Sequence, residues 1–220
     1  IEEKRKHKIR HLEVGVISII IFVALALRGA SALLNIPKAG KNIYEQQYQM
    51  GLFLRNFYNK SHVAANDIGA INFLADIHCL DLMGLSSMEV AKAKIHEDFN
   101  TNFIRQITQS NKIKIAILYE HWFKSYGGLP PEWVKVGQWT IQDNVVCDGE
   151  TVSFYAVDLS ERDSLIENLK KYRYEAYLMV LGIFIMILAA NEFCPIGRGR
   201  VLSIEEKRKH KIRHLEVGVI

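Results

Sequence analysis

Two short runs of this 220-residue chain hold residue types that can do chemistry at the mouth of a fold. VAANDIG, Val63–Gly69, ends an apolar stretch on Asn66 and Asp67, with a glycine following. HCLDLMG, His78–Gly84, does the same with Asp81. In an open α/β sheet, ligands bind in the crevice at the carboxyl ends of the strands. If the two runs are parallel neighbours, Asp67 and Asp81 converge on a sugar hydroxyl, a metal or a phosphate-bound cation. The alternative use is local: each carboxylate caps the next turn or helix and Gly69 or Gly84 supplies the bend. Asn66 has the same two uses. A third run, Glu120-His121-Trp122, follows the β-branched stretch from Ile113. A carboxylate, an imidazole and an indole suit a carbohydrate, with the polar groups on hydroxyls and the ring on a sugar face. Trp133 and Trp139 add to it, and the alternative is packing at a loop or a membrane interface. Arg28 sits inside an apolar stretch, where it must snorkel to headgroups, pair, or face a cavity; a lipid-linked phosphate is one partner it could meet.

These residues need elements to hold them. Ile43, Gln47, Met50, Leu54 and Phe57 recur at steps of three and four and predict an amphipathic helix. Val63–Asp67 and His78–Gly84 read as short buried strands, with Gly69 turning the chain tightly into a short helix between them. A helix follows Ser87, an N-cap ahead of Glu89, and another spans Phe99–Asn111. Ile113–Phe123, Val136–Ile141 and Thr151–Leu159 read as strands. Ser160–Tyr172 reads as a helix capped by Ser160 with Asp163. The order α-β-α-β-α-α-β-β-β-α predicts an α/β, three-layer domain with a mixed, Rossmann-like sheet: parallel crossovers closed by an antiparallel pair.

Two stretches are nearly free of charge. Val14–Leu27, continuing past Arg28 to Ile36, and Ala176–Ala190 predict transmembrane helices. The expected organisation is a basic cytoplasmic segment at 1–13, a span at 14–36, an α/β domain at 37–171, a span at 172–192 and a cytoplasmic basic loop at 193–220. Over 37–171, 14 Lys/Arg stand against 16 Asp/Glu, whereas the flanks are basic. The positive-inside rule therefore places 37–171 on the extracytoplasmic side. A short basic run beside an apolar span contacts anionic lipid and fixes topology, so membrane lipid, not nucleic acid, is the expected partner. Cys79 and Cys147 both fall in the outer domain, where a disulfide between them is open.

VAANDIGAINFLADIHCLDLMGLSSMEVA, with YEQQYQMGLFLRNFYNK ahead of it, resembles the C-terminal extracytoplasmic domain of bacterial GT-C-type polytopic glycosyltransferases, the mannosyl- and arabinosyltransferase-like group. The resemblance rests on Asp67-Ile68-Gly69 with Phe73, then Asp81-Leu82-Met83-Gly84-Leu85, and covers about Arg28 to Lys171. It implies a parent in the bacterial inner (plasma) membrane that moves a sugar from a polyprenyl-phosphate donor to a glycan acceptor, with a divalent cation in the parent and no cofactor in this chain. RYEAYLMVLGIF, Arg173–Phe184, is similar to a span that precedes the soluble domain. IEEKRKHKIRHLEVGVI stands both at 1–17 and at 204–220. Read from Arg173 forward and continued from residue 18, the chain gives one sensible order, so the order here is expected to be a rotation of the parent's.

The catalytic acid of that type lies in an early loop that this chain lacks, so the chain alone is predicted inactive. There is no P-loop, GxSxG or HExxH. A free nucleotide-binding domain is disfavoured by the missing glycine fingerprint. The competing expectation is a non-enzymatic, membrane-anchored binding or assembly domain.

Overall fold

The structure, a computed structural model, describes residues 2–174 and 215–217. The chain divides into two compact units, Ile1–Lys41 and Asn42–Ile220. Helix α1, Glu2–Ile43, supplies the first. Its apolar stretch, with a mean hydropathy of 2.3 over its best window, is long and apolar enough to cross a membrane. Among the described residues its side chains are exposed: Phe22 is 72% and Leu34 78% exposed. A helix apolar on every side and bare of neighbours suits lipid as its solvent. Arg28 lies exposed within it. The predicted second span falls outside the described residues. Tyr172, the first residue assigned to it, is instead a core residue of the α/β unit at 6% exposure.

The second unit opens with a π-helical turn, Tyr44–Tyr48, leading into α2, Gln49–Phe57. A π-turn adds a residue to the helical repeat and so rotates what precedes it. The predicted inward stripe therefore breaks: Met50 and Leu54 are buried, while Ile43 is 41% exposed. Five strands follow: β1 His62–Ala65, β2 His78–Asp81, β3 Ile115–Leu118, β4 Val134–Thr140 and β5 Thr151–Ala156. Helix α3, Gly69–Leu74, links β1 to β2. Helices α4, Met88–Ile95, and α5, Thr101–Ser110, link β2 to β3. A last helix, α6, occupies 162–174.

The sheet is mixed, in the order β2-β1-β3-β5-β4. Strand β1 is parallel to both β2 and β3, with Ala65 opposite Asp81 and Ile117. Strand β5 is antiparallel to β3 and to β4. A sixth, short strand, β6 Leu215–Val217, pairs antiparallel with Gly137–Trp139 on the outer edge.

Alternate residues of β1 and β3 point to opposite faces. Val63, Ala65, Ile115 and Ile117 join Phe53, Leu54, Ile71, Leu165 and Tyr172 in one apolar cluster. Ala64, Ala116 and Leu118 join Val90, Ile104, Ile107 and Phe123 in another. Burial on both faces is why the central strands read as unbroken apolar runs.

Two details differ from the sequence reading. The third strand stops at Leu118, and Glu120–Tyr126 forms a 3-10 turn. Helix α6 is introduced not by Ser160 but by Asp158, whose carboxylate accepts from the Ser160 N–H at 2.9 Å. Cys79 and Cys147 are both free thiols.

Candidate functional site

From β1 the chain moves to β2 on one side and then to β3 on the other. Order reversal of this kind opens a crevice at the carboxyl ends of the two strands. Asn66 and Asp67 leave β1 there, and Tyr119, His121 and Trp122 leave β3. Two of the three sequence runs thus meet at one end of the sheet.

Asn66 closes the floor. It is 2% exposed, and its Oδ1 accepts from the Tyr119 N–H at 3.1 Å. A side chain has taken the place of a ladder partner, which accounts for the end of β3 despite the aromatic run that follows it. The π-turn supplies the wall. Its wider repeat brings three consecutive polar residues, Glu45, Gln46 and Gln47, to the buried side. Gln47 donates through Nε2 to Asp67 Oδ2 and to the Tyr119 hydroxyl. The Tyr119 hydroxyl donates in turn to Gln46 Oε1 at 2.6 Å.

The roof is the segment 142–150, between β4 and β5. Side chains hold it. Asn42 donates to the Gln142 carbonyl and accepts from the Val145 N–H. Gln46 Nε2 donates to the carbonyls of Gly149 and Glu150, both at 3.1 Å. Asp148 accepts from the Trp122 indole N–H and lies 2.9 Å from His121 Nε2. Gly149 packs closely: a Cβ there would stand 3.1 Å from both the His121 and Tyr119 rings, tighter than ordinary contact. The Tyr119 ring lies 5.9 Å from those of His121 and Trp122, so the three aromatics form one cluster.

Burial pushes the Asp67 carboxyl above its usual range; the Gln47 and Gly69 hydrogen bonds oppose this, and the charge of Asp148 adds to it. Burial likewise raises the Tyr119 phenol, with Asp67, Cys147 and Asp148 adding to it. The Cys147 thiol is pushed up to about 11 by burial and then by Asp67. Phenol and thiol therefore stay protonated at neutral pH and offer no nucleophile. What the crevice presents is acceptors, amide groups and aromatic faces, which is binding chemistry.

The remaining candidates lie elsewhere. Asp81 is fully buried; it accepts from the Met83 N–H at 2.7 Å and the Ser86 N–H at 2.6 Å. The turn it closes needs Gly84 at φ +86°, where a Cβ would meet the Ala91 backbone at 2.8 Å. Its carboxylate is consumed locally, so the convergence of Asp67 with Asp81 is replaced by that of Asp67 with Asp148. Gly69 makes no tight turn: it starts α3, has no positive φ, and its N–H bonds to Asp67. Glu120 points to the other face, 2.7 Å from Lys135 Nζ. Burial alone would raise its carboxyl, but bonds from Lys135, Ser153 and Tyr155 hold it below the usual range. Trp133 and Trp139 are buried in the two apolar clusters, not at the crevice. Among the described residues, no group of three His, Cys, Asp or Glu could hold a metal ion.

Sequence reasoning missed Asn42, Gln46, Tyr119 and Asp148 and gave Gln47 only a packing role. The signal it had was YEQQY itself, polar residues in consecutive positions on a helix whose period should have turned some of them to solvent. The family model described as Domain of unknown function (DUF8728) matches residues 41–155, which contain every residue of the crevice. No curated protein and no solved structure matches the chain. The match spans more than half of the chain, and the protein belongs to the DUF8728 family.

Proposed function

We propose that this chain is the C-terminal part of a membrane glycosyltransferase-like protein, and that its α/β domain binds the acceptor or the glycan in the crevice between β1 and β3. In this reading the domain is a three-layer, Rossmann-like unit anchored by α1 on the extracytoplasmic side of a bacterial plasma membrane. The parent uses a polyprenyl-phosphate sugar donor, with a divalent cation bound outside this chain.

One observation carries the binding role. Asn66 and Asp67 from one run, and His121 and Trp122 from another some fifty residues on, are brought to one gap with Gln47, Tyr119 and Asp148. Carboxylate and amide groups on hydroxyls, with aromatic faces on the ring, make the chemistry of a sugar site. The transferase assignment rests on the resemblance of the NDIG and DLMGL runs, and the membrane assignment on α1.

The test is calorimetric titration of the full chain in detergent with a panel of cell-envelope oligosaccharides. Saturable binding that Trp122→Ala weakens about tenfold is the expected result. Binding unaltered in Trp122→Ala and Asp67→Asn would refute the assignment.

A second reading shares the crevice but not the reaction: a membrane-anchored binding domain without transfer. Every group at the crevice serves it equally, since holding a glycan needs only acceptors, amides and aromatic faces. Genomic sequence through the locus separates the two. The transferase requires several further spans encoded beside this segment.

A further inference from the structure

We infer that the crevice selects a glycan bearing a protonated amine, an amino sugar, over neutral, N-acylated or phosphorylated sugars. This rests on the glycan reading above and specifies its substrate class.

Two carboxylates reach the same aromatic cluster from two segments far apart in the chain. Asp67 enters from the end of β1 through Gln47 and Tyr119, and Asp148 enters from the roof through His121 and Trp122. Among the described residues their partners are an amide, a backbone N–H, an imidazole and an indole, with no lysine or arginine. The nearby Lys135 is committed to Glu120 on the other face. A protonated His121 neutralises at most one of the two charges. The crevice therefore retains negative charge that repels phosphate and carboxylate groups and attracts a cation.

Two buried polar atoms show what is missing. Gln47, 5% exposed, leaves Oε1 without a partner, and Asn66, 2% exposed, leaves Nδ2 without one. Buried polar atoms are almost always bonded, so an unmet acceptor and an unmet donor at one crevice call for a ligand that offers both. An ammonium group brings three donors and no acceptor, matching Gln47 Oε1 and the free lone pairs of the carboxylates. A hydroxyl oxygen on the neighbouring ring carbon matches the Asn66 donor. The Trp122 and Tyr119 faces favour a cation beside them as well as a sugar ring over them. The 142–150 roof is tied down by side chains rather than by sheet pairing, and its lifting is the route of entry.

The experiment titrates the full chain in detergent with glucosamine, glucose, N-acetylglucosamine and glucose 6-phosphate. The indole N–H signal of Trp122 is followed by NMR. Glucosamine is expected to bind about tenfold tighter than glucose or N-acetylglucosamine, and glucose 6-phosphate more weakly than either. Asp67→Asn is expected to abolish the preference for glucosamine over glucose, with Asp148→Asn as an independent second variant. Equal affinity for glucosamine and glucose overturns the amine but leaves the glycan site standing. A preference that survives both variants overturns the assignment to these carboxylates. No binding by any sugar of the panel or by the oligosaccharides overturns both.

Discussion

Asp67 and Asp81 start from nearly the same place. Both follow short buried strands that lie side by side in parallel, and both precede a glycine by two or three residues. Yet Asp81 is spent entirely on its own turn, while Asp67 shares itself between the Gly69 N–H and the Gln47 side chain of a distant π-turn and feels a second carboxylate, Asp148. The difference lies in the partners. Asp81 reaches backbone N–H groups within five residues, which bury it at no cost to hydrogen bonding. Asp67 reaches Gln47, a group that must itself be placed by a π-turn twenty residues earlier. A carboxylate satisfied by its own turn serves stability, whereas one held by a network and half open to solvent is available for ligand.

That contrast is broken most directly at Asp81. Asp81→Ala strands two backbone donors in a fully buried turn and should cost about 3 kcal/mol or more in chemical denaturation. Asp81→Asn should lose less, because one acceptor remains. A loss under about 1 kcal/mol for the alanine would mean that the turn does not depend on the carboxylate.

The paired change Asn42→Ala with Gln46→Ala should cost about 2 kcal/mol, roughly 1 for each amide. The effect should be local. Hydrogen exchange is expected to speed up over 142–150, with the β1 and β3 amides unmoved. Uniform acceleration across the sheet would place these amides in the core rather than at the roof.

Asp67 should behave oppositely to Asp81. Its carboxyl is raised on folding, so the folded chain holds the proton over a range where the unfolded chain, near 3.8, has lost it. The stability that goes with the protonated group is therefore present below that value and lost as pH rises through the raised one. Asp67→Asn keeps the neutral form throughout. Its Tm should match that of the parent chain in acid and exceed it at neutral pH, by no more than about 2–4 °C. A fall in Tm at neutral pH would show that Asp67 is structural, like Asp81.

Gly149→Ala should have the smallest effect on folding, within about 1 kcal/mol, because the roof can shift by a few tenths of an ångström. It should nonetheless weaken ligand binding several-fold by pressing on His121 and Tyr119.

Much of the sheet was legible from the sequence, because burial on both faces leaves an apolar run that needs no tertiary knowledge. Ser87 was legible too; its hydroxyl caps α4 by accepting from the Val90 N–H. The site was only half legible. Asn66, Asp67, His121 and Trp122 advertise themselves by position after strands. Asn42 and Gln46 do not, since a helical period of 3.6 assigns polar residues to solvent and gives no warning of a π-turn, and Asp148 sits in a loop with no period to mark it. Glu120 was misplaced because a 3-10 turn, not a strand, carries it away from its neighbours. The repeated segment sets a firmer limit. Leu12-Glu13-Val14 lies in helix α1, and the identical Leu215-Glu216-Val217 lies in strand β6. Three residues have no preference strong enough to resist context: the first copy runs on into a long apolar helix, and the second meets the open edge of β4.

The central claim is that the gap between β1 and β3 is where this domain meets its ligand. The most direct measurement follows the three indole N–H signals of the full chain as amino sugar is added. Trp133 and Trp139 are buried in the two apolar clusters, and Trp122 alone bonds to Asp148 at the crevice. The account predicts saturable movement of the Trp122 signal, displaced to about tenfold higher amino-sugar concentration by Asp67→Asn, with the other two still. An unmoved Trp122 signal alongside binding detected by calorimetry would contradict it and place the ligand elsewhere on the molecule.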